Sequence, residues 1–378
     1  MTPKLLLSSL FLSMGLLSAC KGGSTDSPPD LATPVPDLSG IQPLDLSGLD
    51  LRTTPPDLST VPDLAAADLA APVSCRGTTA PGTTYKLATA SLLIPTMAAS
   101  YAIDIDGNGR PENQFKKLVD VFALAGLDIQ GSIDFSTAAG EGIQLLSVTT
   151  ANPATSACVG VEINPASSPM VGAPPPKFDG TDVFSPSMPV GARLSGSLTS
   201  RSFSTTLPPL QSSLDEQSLQ LRLVLGASPL LLPLRGVHLE GTLTGGAGLW
   251  QIQNGSIHGV ISDDDINRVI LPGLATQITR QINSDPRSAT ATALINLFES
   301  TTSPISRAKC MVAANCCRTS PATCLILPAE VAASPVGSVL APDVEVLDAS
   351  NKWAPVSGGT SYDAMSFGMG FTAITASY

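Results

Sequence analysis

The segment Asp104-Ile105-Asp106-Gly107-Asn108-Gly109-Arg110-Pro111-Glu112 puts oxygen-bearing side chains at its first, third, fifth and ninth positions. Alternate side chains of a short loop can converge, and several converging oxygens are what a hard cation requires. Gly109, at the sixth position, permits the sharp turn that such convergence needs. The backbone carbonyl of Arg110 is the candidate ligand at the seventh. A second reading of the same residues is a strand-to-helix turn, with Asp and Asn bonding the backbone and Pro111 opening a helix.

This loop resembles the front of calcium loops of the EF-hand, dockerin and thrombospondin-repeat kind. The resemblance implies calcium, held by Asp104, Asp106, Asn108, Arg110 and Glu112. It departs at the twelfth position, where those loops carry a bidentate acid and this chain has Phe115. Tyr101 to Ile103 read as a strand, which argues against a paired EF-hand.

Other candidates for chemistry are few. The only histidines are His238 and His258. Ser256 and His258 would project from the same side of one strand, whereas a nucleophile and its base usually converge from separate elements. Asp263, Asp264 and Asp265 could pair as acid and base on a glycan, yet they read more simply as the acidic first turn of a helix capped by Ser262. G-x-S-x-G, Walker, dinucleotide-binding and zincin patterns are absent from the sequence. No catalytic residue is assigned, and the reading favours a protein that is not an enzyme.

The elements that must position these residues follow a distinctive N-terminus. Lys4 and the apolar run Leu5 to Leu17 read as an export signal, too short to span a bilayer permanently. Leu17-Ser18-Ala19-Cys20 resembles the lipobox of bacterial lipoproteins, which implies a signal peptide over residues 1–19 and lipidation of Cys20. Multiple acyl chains, each burying CH2 groups at about 0.8 kcal/mol apiece, would anchor the chain stably to a membrane. Lys21, in place of the Asp that retains lipoproteins at the inner membrane, implies outer-membrane sorting, facing the periplasm or the exterior.

Residues 20–72 are rich in proline and carry Asp-Leu pairs starting at Asp30, Asp37, Asp45, Asp50, Asp57, Asp63 and Asp68. Their irregular spacing fits neither a heptad nor a solenoid, so a disordered, extended tether is expected. Such a tether would reach roughly 40 Å as a coil or roughly 160 Å fully extended.

Residues 73–378 remain for a folded extracytoplasmic region, of one domain or two subdomains. Hydrophobic residues make up 43% of the chain and suffice for a core, while 20 basic against 31 acidic side chains, with no basic run, argue against nucleic acid as a partner. The membrane, through the lipid, and an unidentified protein or glycan are the expected partners. Besides Cys20 there are six cysteines, Cys75, Cys158, Cys310, Cys316, Cys317 and Cys324. An even number in an exported chain predicts disulfides. The last four suggest two local bridges, leaving Cys75 to Cys158; zinc is disfavoured because no histidine lies near and the spacing is not C-x2-C.

Alternation predicts strands at 219–223, 237–240, 143–148, 159–163, 344–347 and 365–371, the last running on towards Tyr378. Helices are expected over Pro111 to Ala125, from Asp263 towards Asn283 with a break at Pro272-Gly273, and over Thr290 to Glu299. The fold class is α+β and β-rich: a sandwich-like or partly closed antiparallel sheet with two or three helices, behind a disordered tether. A terminal aromatic such as Tyr378 also occurs in outer-membrane barrels, but 16 aromatics are too few for their girdles. Lipobox, tether, loop and closing strand together resemble a group of uncharacterised Gram-negative lipoproteins, and the resemblance implies no activity. The reading is of an envelope binding or structural module with one calcium ion, or alternatively an envelope hydrolase acting on glycans or esters.

Overall fold

The computed structural model describes residues 80–378, except 125, 168–172, 188–190, 214–216, 226–227, 349 and 351. The signal, Cys20, the tether and Cys75 lie outside the described residues. Strands β1 (Thr83–Leu93), β2 (Gln144–Thr150), β3 (Ser156–Pro165), β4 (Ala192–Thr199) and β5 (Ser202–Thr205) come first. The strands β6 (Leu219–Leu225), β7 (Ser228–Gly246), β8 (Leu249–Ser262) and β9 (Ala364–Thr375) follow. All pair antiparallel in the order β5-β4-β3-β2-β1-β9-β8-β7-β6, and β5 pairs again with β7. Every strand except β6 therefore belongs to a closed ring, and β6 extends the free half of β7.

Closure follows from the register. Phe203 of β5 faces Gly241 of β7, and a Cβ on Gly241 would meet that ring at 3.0 Å. The interior is apolar: Leu87, Leu146, Val161, Leu194, Phe203, Leu239, Ile257, Phe367 and Phe371 belong to one buried cluster. The intervening residues Ser256, His258, Glu240 and Ser366 lie on the outer face, as the period of two requires. That apolar interior is unlike the polar lumen of a transmembrane barrel. No described helix is long and apolar enough to cross a membrane.

Helices α1 (Phe115–Leu124), α2 (Ile129–Ala138), α4 (Leu271–Ser284) and α5 (Ala289–Phe298) contribute to the same core, and the single acidic turn α3 (Asp263–Asp265) follows β8. Short helices α6 (Pro304–Cys310), α7 (Pro328–Ala332) and α8 (Pro335–Val339) each carry proline in the first turn. They exceed the two or three helices expected, because segments of five to seven residues are too short to display a 3.6-residue period. Between α1, α4 and β7 the packing leaves a cavity of about 20 Å³, lined by Phe115, Phe122, Leu230, Ile270 and Met365. Such a space holds about one water and no acyl chain.

Three expectations are corrected. The helix expected from Pro111 starts at Phe115, because Glu112 is bridged to Ile103 and Asn113 and Gln114 are bonded to β9. Pro272-Gly273 does not break the second helix; a π-type turn over Ile266–Ile270 precedes it, where the N–H of Leu271 reaches back to the carbonyl of Ile266 and the chain continues into α4. Residues 344–347 form only isolated bridges, Val344 to Ala364 and Leu347 to Trp353. Their apolar side chains instead cover the outer face of the ring, with Val344, Val346 and Trp353 packed on Val260 and Ile105.

Candidate cation loop and its surroundings

The loop begins and ends on one bridge, in which the N–H of Glu112 donates to the carbonyl of Ile103 at 2.9 Å. Ile105 is buried in the cluster on the outer face of β8, and Asp106 beside it is buried as well. Asp104 Oδ2 accepts the N–H of Gly109 at 2.8 Å. Asp106 accepts the N–H of Asn108 at 3.0 Å and its Nδ2 at 3.0 Å. Asn108 Oδ1 accepts the N–H of Arg110 at 2.7 Å. Gly107 and Gly109 both have positive φ, 76° and 81°, which side-chain-bearing residues adopt at a cost.

These bonds hold three carboxylates together: ligand oxygens of Asp104, Asp106 and Glu112 lie within 4.8 Å of one another. Asp104 Oδ1 and Glu112 Oε2 are buried and meet no hydrogen-bond donor among the described residues. Burial, with the charges of Asp106, Asp104 and Asp343 adding to it and a bond from Asn108 opposing, raises the Glu112 carboxyl to about 7. Phe115, at the twelfth position, is in the core and supplies no ligand. Asn108 spends its side chain on Asp106, Arg110 and Glu112, and Arg110 is exposed, so the acidic triad of Asp104, Asp106 and Glu112 is the part of the expected ligand set that converges.

The segment flanking the loop is fastened to β9. Asn113 Oδ1 accepts the N–H of Gly368 at 3.0 Å, while Nδ2 donates to the carbonyls of Gly368 at 3.0 Å and Ser100 at 2.9 Å. Tyr101, at φ 54°, lies on the two glycines of β9: a Cβ on Gly368 would stand 1.8 Å from its carbonyl oxygen, and one on Gly370 would stand 2.3 Å from its ring. The alternation of large residues with glycine in β9 thus serves two faces, one packed inside the ring and one bare enough to admit this loop.

Beside Tyr101, His258 Nε2 lies 2.8 Å from Ser256 Oγ, and His238 Nε2 lies 3.1 Å from Glu240 Oε1. The two imidazole centroids are 5.7 Å apart, since the residues are directly paired across β7 and β8. Burial lowers the His258 imidazole to about 4, with the charge of His238 adding to this and Glu240 and the Tyr101 carbonyl opposing. Ser256 and His258 do touch, and among the described residues no carboxylate bonds the other ring nitrogen of His258 as the third member of a hydrolytic triad would.

The acidic run is spent on structure. Ser262 caps the helix, accepting the N–H of Asp265, and the buried Asp265 is held by Arg235 at 2.7 Å. Asp264 pairs with Arg268 at 2.9 Å, and Asp263 accepts from Asn267 at 3.2 Å.

Cys310 and Cys316 form a disulfide. Cys158 is also disulfide-bonded, its partner outside the described residues. The second local bridge is not formed: Cys317 and Cys324 are buried thiols. They share a hydrogen bond, the foremost cause of the Cys317 thiol being pushed up and the Cys324 thiol down. Around them lies a network that sequence patterns did not reveal. Lys309 Nζ stands 2.7 Å from Glu299 and 2.9 Å from Glu330, all three nearly fully buried. Glu299 also accepts the N–H groups of Cys317 at 2.9 Å and Arg318 at 2.8 Å. Burial would raise the Glu299 carboxyl, but these donors hold it below the usual range. Glu299, Cys310 and Cys316 could be grouped around a metal, but the sulfurs are bonded to each other and the Lys309 ammonium already meets the carboxylate.

Comparison with protein-family models, curated proteins and solved structures gives no match for this chain.

Proposed function

We propose that this chain is an exported lipoprotein, anchored through Cys20 to the outer membrane, whose ring-shaped β domain is a binding or structural module stabilised by one calcium ion. The anchor and the outer-membrane address rest on the lipobox and Lys21. The observation that carries the calcium assignment is the convergence of Asp104, Asp106 and Glu112 with two buried, donor-less carboxylate oxygens. A divalent ion supplies the positive charge that this cluster lacks. Three protein carboxylates leave coordination positions for water, which suits a weak site used at the millimolar calcium of an exterior. Because the loop is bonded to β9 through Asn113, the ion would fix the loop against the sheet.

Calcium titration of the protein, followed by heat of binding and thermal stability, tests this. Saturable 1:1 binding with a rise in Tm, lost in Asp104→Ala/Asp106→Ala, is expected. Absence of a response up to millimolar calcium reduces the loop to turn chemistry.

A further inference from the structure

Between α6 and α7 the chain makes a turn that the calcium reading leaves unused. Residues 311–314, Met-Val-Ala-Ala, are exposed one after another, with Met311 at 87% and Val312 at 55%. Leu325, 42% exposed, lies against this turn, its N–H donating to the carbonyl of Asn315 at 3.2 Å. Single exposed apolar residues are ordinary, whereas a contiguous group of them marks a surface that something covers.

The base of the turn is held in more ways than a passive loop requires. The disulfide between Cys310 and Cys316 closes it. Lys309 Nζ, which meets Glu299 and Glu330, also donates to the carbonyl of Leu325 at 2.8 Å. Glu299 accepts the N–H groups of Cys317 and Arg318, and Thr323 Oγ1 donates to the carbonyl of Ala314 at 3.0 Å. Within the tip, the N–H of Asn315 donates to the carbonyl of Val312 at 2.9 Å. A tip fixed in advance loses little conformational freedom when a partner covers it.

Charge and size indicate what covers it. The chain carries a net charge of -11, yet residues 300–329 contain no Asp or Glu and include Arg307, Lys309 and Arg318. Lys309 is buried with its acids, while Arg307 and Arg318 are exposed. An apolar tip flanked by cations matches the interface of an anionic bilayer, where the acyl boundary takes the one and the headgroups take the other. A stable protein interface takes about 800 Å² from each partner, or roughly 20 to 30 residues, and three large side chains on a projecting turn fall far short of that.

We propose that the turn 311–314, together with Leu325, inserts into the interface of an anionic lipid bilayer, with Arg307 and Arg318 on the phosphates. The inference rests on the lipid-anchor reading in one respect: an acyl group on Cys20 would keep the domain beside a bilayer, so that a tip of low intrinsic affinity suffices.

Hydroxyl-radical oxidation of methionine, read by mass spectrometry, tests it on the full chain with vesicles of phosphatidylglycerol or of phosphatidylcholine. Met97, 68% exposed in the segment between β1 and α1, is the internal reference. On phosphatidylglycerol, oxidation of Met311 should fall several-fold relative to Met97, with a smaller change on phosphatidylcholine, and Arg307→Gln should weaken the protection. Equal oxidation of Met311 with and without vesicles, equal protection on both lipids, joint protection of Met97, or protection unchanged in Arg307→Gln would each overturn the proposal. Protection that needs no vesicle and grows with protein concentration would assign the tip to a second copy instead. Sedimentation with phosphatidylcholine vesicles reads the anchor apart from the tip. A chain that pellets there while Met311 stays reactive on phosphatidylglycerol keeps its anchor and loses this inference; one that does not pellet there, yet is protected on phosphatidylglycerol, loses the anchor and keeps the tip.

Discussion

The side-chain amide of Asn113 grips the backbone of Gly368 at both ends, accepting its N–H and donating to its carbonyl, each at 3.0 Å. The residues are 255 positions apart, and this pairing joins the candidate cation loop to the strand that runs beside His258. Asn113→Ala should cost about 1–3 kcal/mol, the penalty for a buried N–H left without its acceptor. Gly368→Ala should do more harm, because its Cβ would collide with the Tyr101 carbonyl. Denaturant unfolding measures the first. For the second, hydrogen exchange localised to residues 97–113 distinguishes a lifted loop from global unfolding.

Calcium binding should carry a pH signature. The Glu112 carboxyl, raised to about 7, is mostly protonated at pH 6 and mostly ionised at pH 8.5. A cation binds the ionised form, so calcium should release a proton at pH 6 and almost none at pH 8.5. Calorimetry in buffers of different ionisation enthalpy reads this number directly. Equal release at both values would remove Glu112 from the ligand set.

His258 should destabilise the metal-free protein in acid. Its folded value of about 4 lies below the unfolded value of 6.5, so the unfolded chain takes up protons first as pH falls. Its contribution is intact above pH 6.5 and is lost between 6.5 and 4, to roughly 3 kcal/mol at the acid end. Glu112 acts in the opposite sense, since its raised value makes stability fall as pH rises from about 4.5 to 7. Stability profiles of His258→Gln and Glu112→Gln separate the two slopes; if His258→Gln keeps the acid loss, other groups cause it.

Lys309→Met should unfold or nearly unfold the protein. It leaves Glu299 and Glu330 buried without their shared cation, and breaking a buried pair costs about 3–5 kcal/mol. A triple variant, Lys309→Met/Glu299→Gln/Glu330→Gln, should recover much of that loss in urea unfolding. Loss unchanged in the triple variant would place the cause in packing instead of charge.

Cys317 and Cys324 should resist a thiol reagent in the native protein, because both are buried, and both should react after denaturation. Two equivalents appearing only in denaturant are expected. If none appear and mass analysis finds a 317–324 bridge, the local pairing expected from the cysteine spacing forms after all.

Much of the framework was legible in one dimension. Alternation located β3 and β6 because each buries one face, large residues alternating with small ones marked β9 although both its faces are covered, and Ser262 before three aspartates marked a helix start because caps and carboxylates act within one turn. The strands β4 and β5 were missed: their tight turn uses Ser200 and Arg201, both at positive φ, instead of the glycine or asparagine that ordinarily announces such a turn. The three carboxylates of the cation loop lie within nine residues, so their spacing alone suggested convergence. Closure of the ring through β5 and β7, the grip of Asn113 on Gly368, the Glu299–Lys309–Glu330 network and the facing of His238 with His258 were decided by tertiary structure. Each depends on which distant residue lies opposite in the register of a strand or in the packing of a loop. Local spacing determines which way a side chain points, but only the folded sheet determines what it meets there.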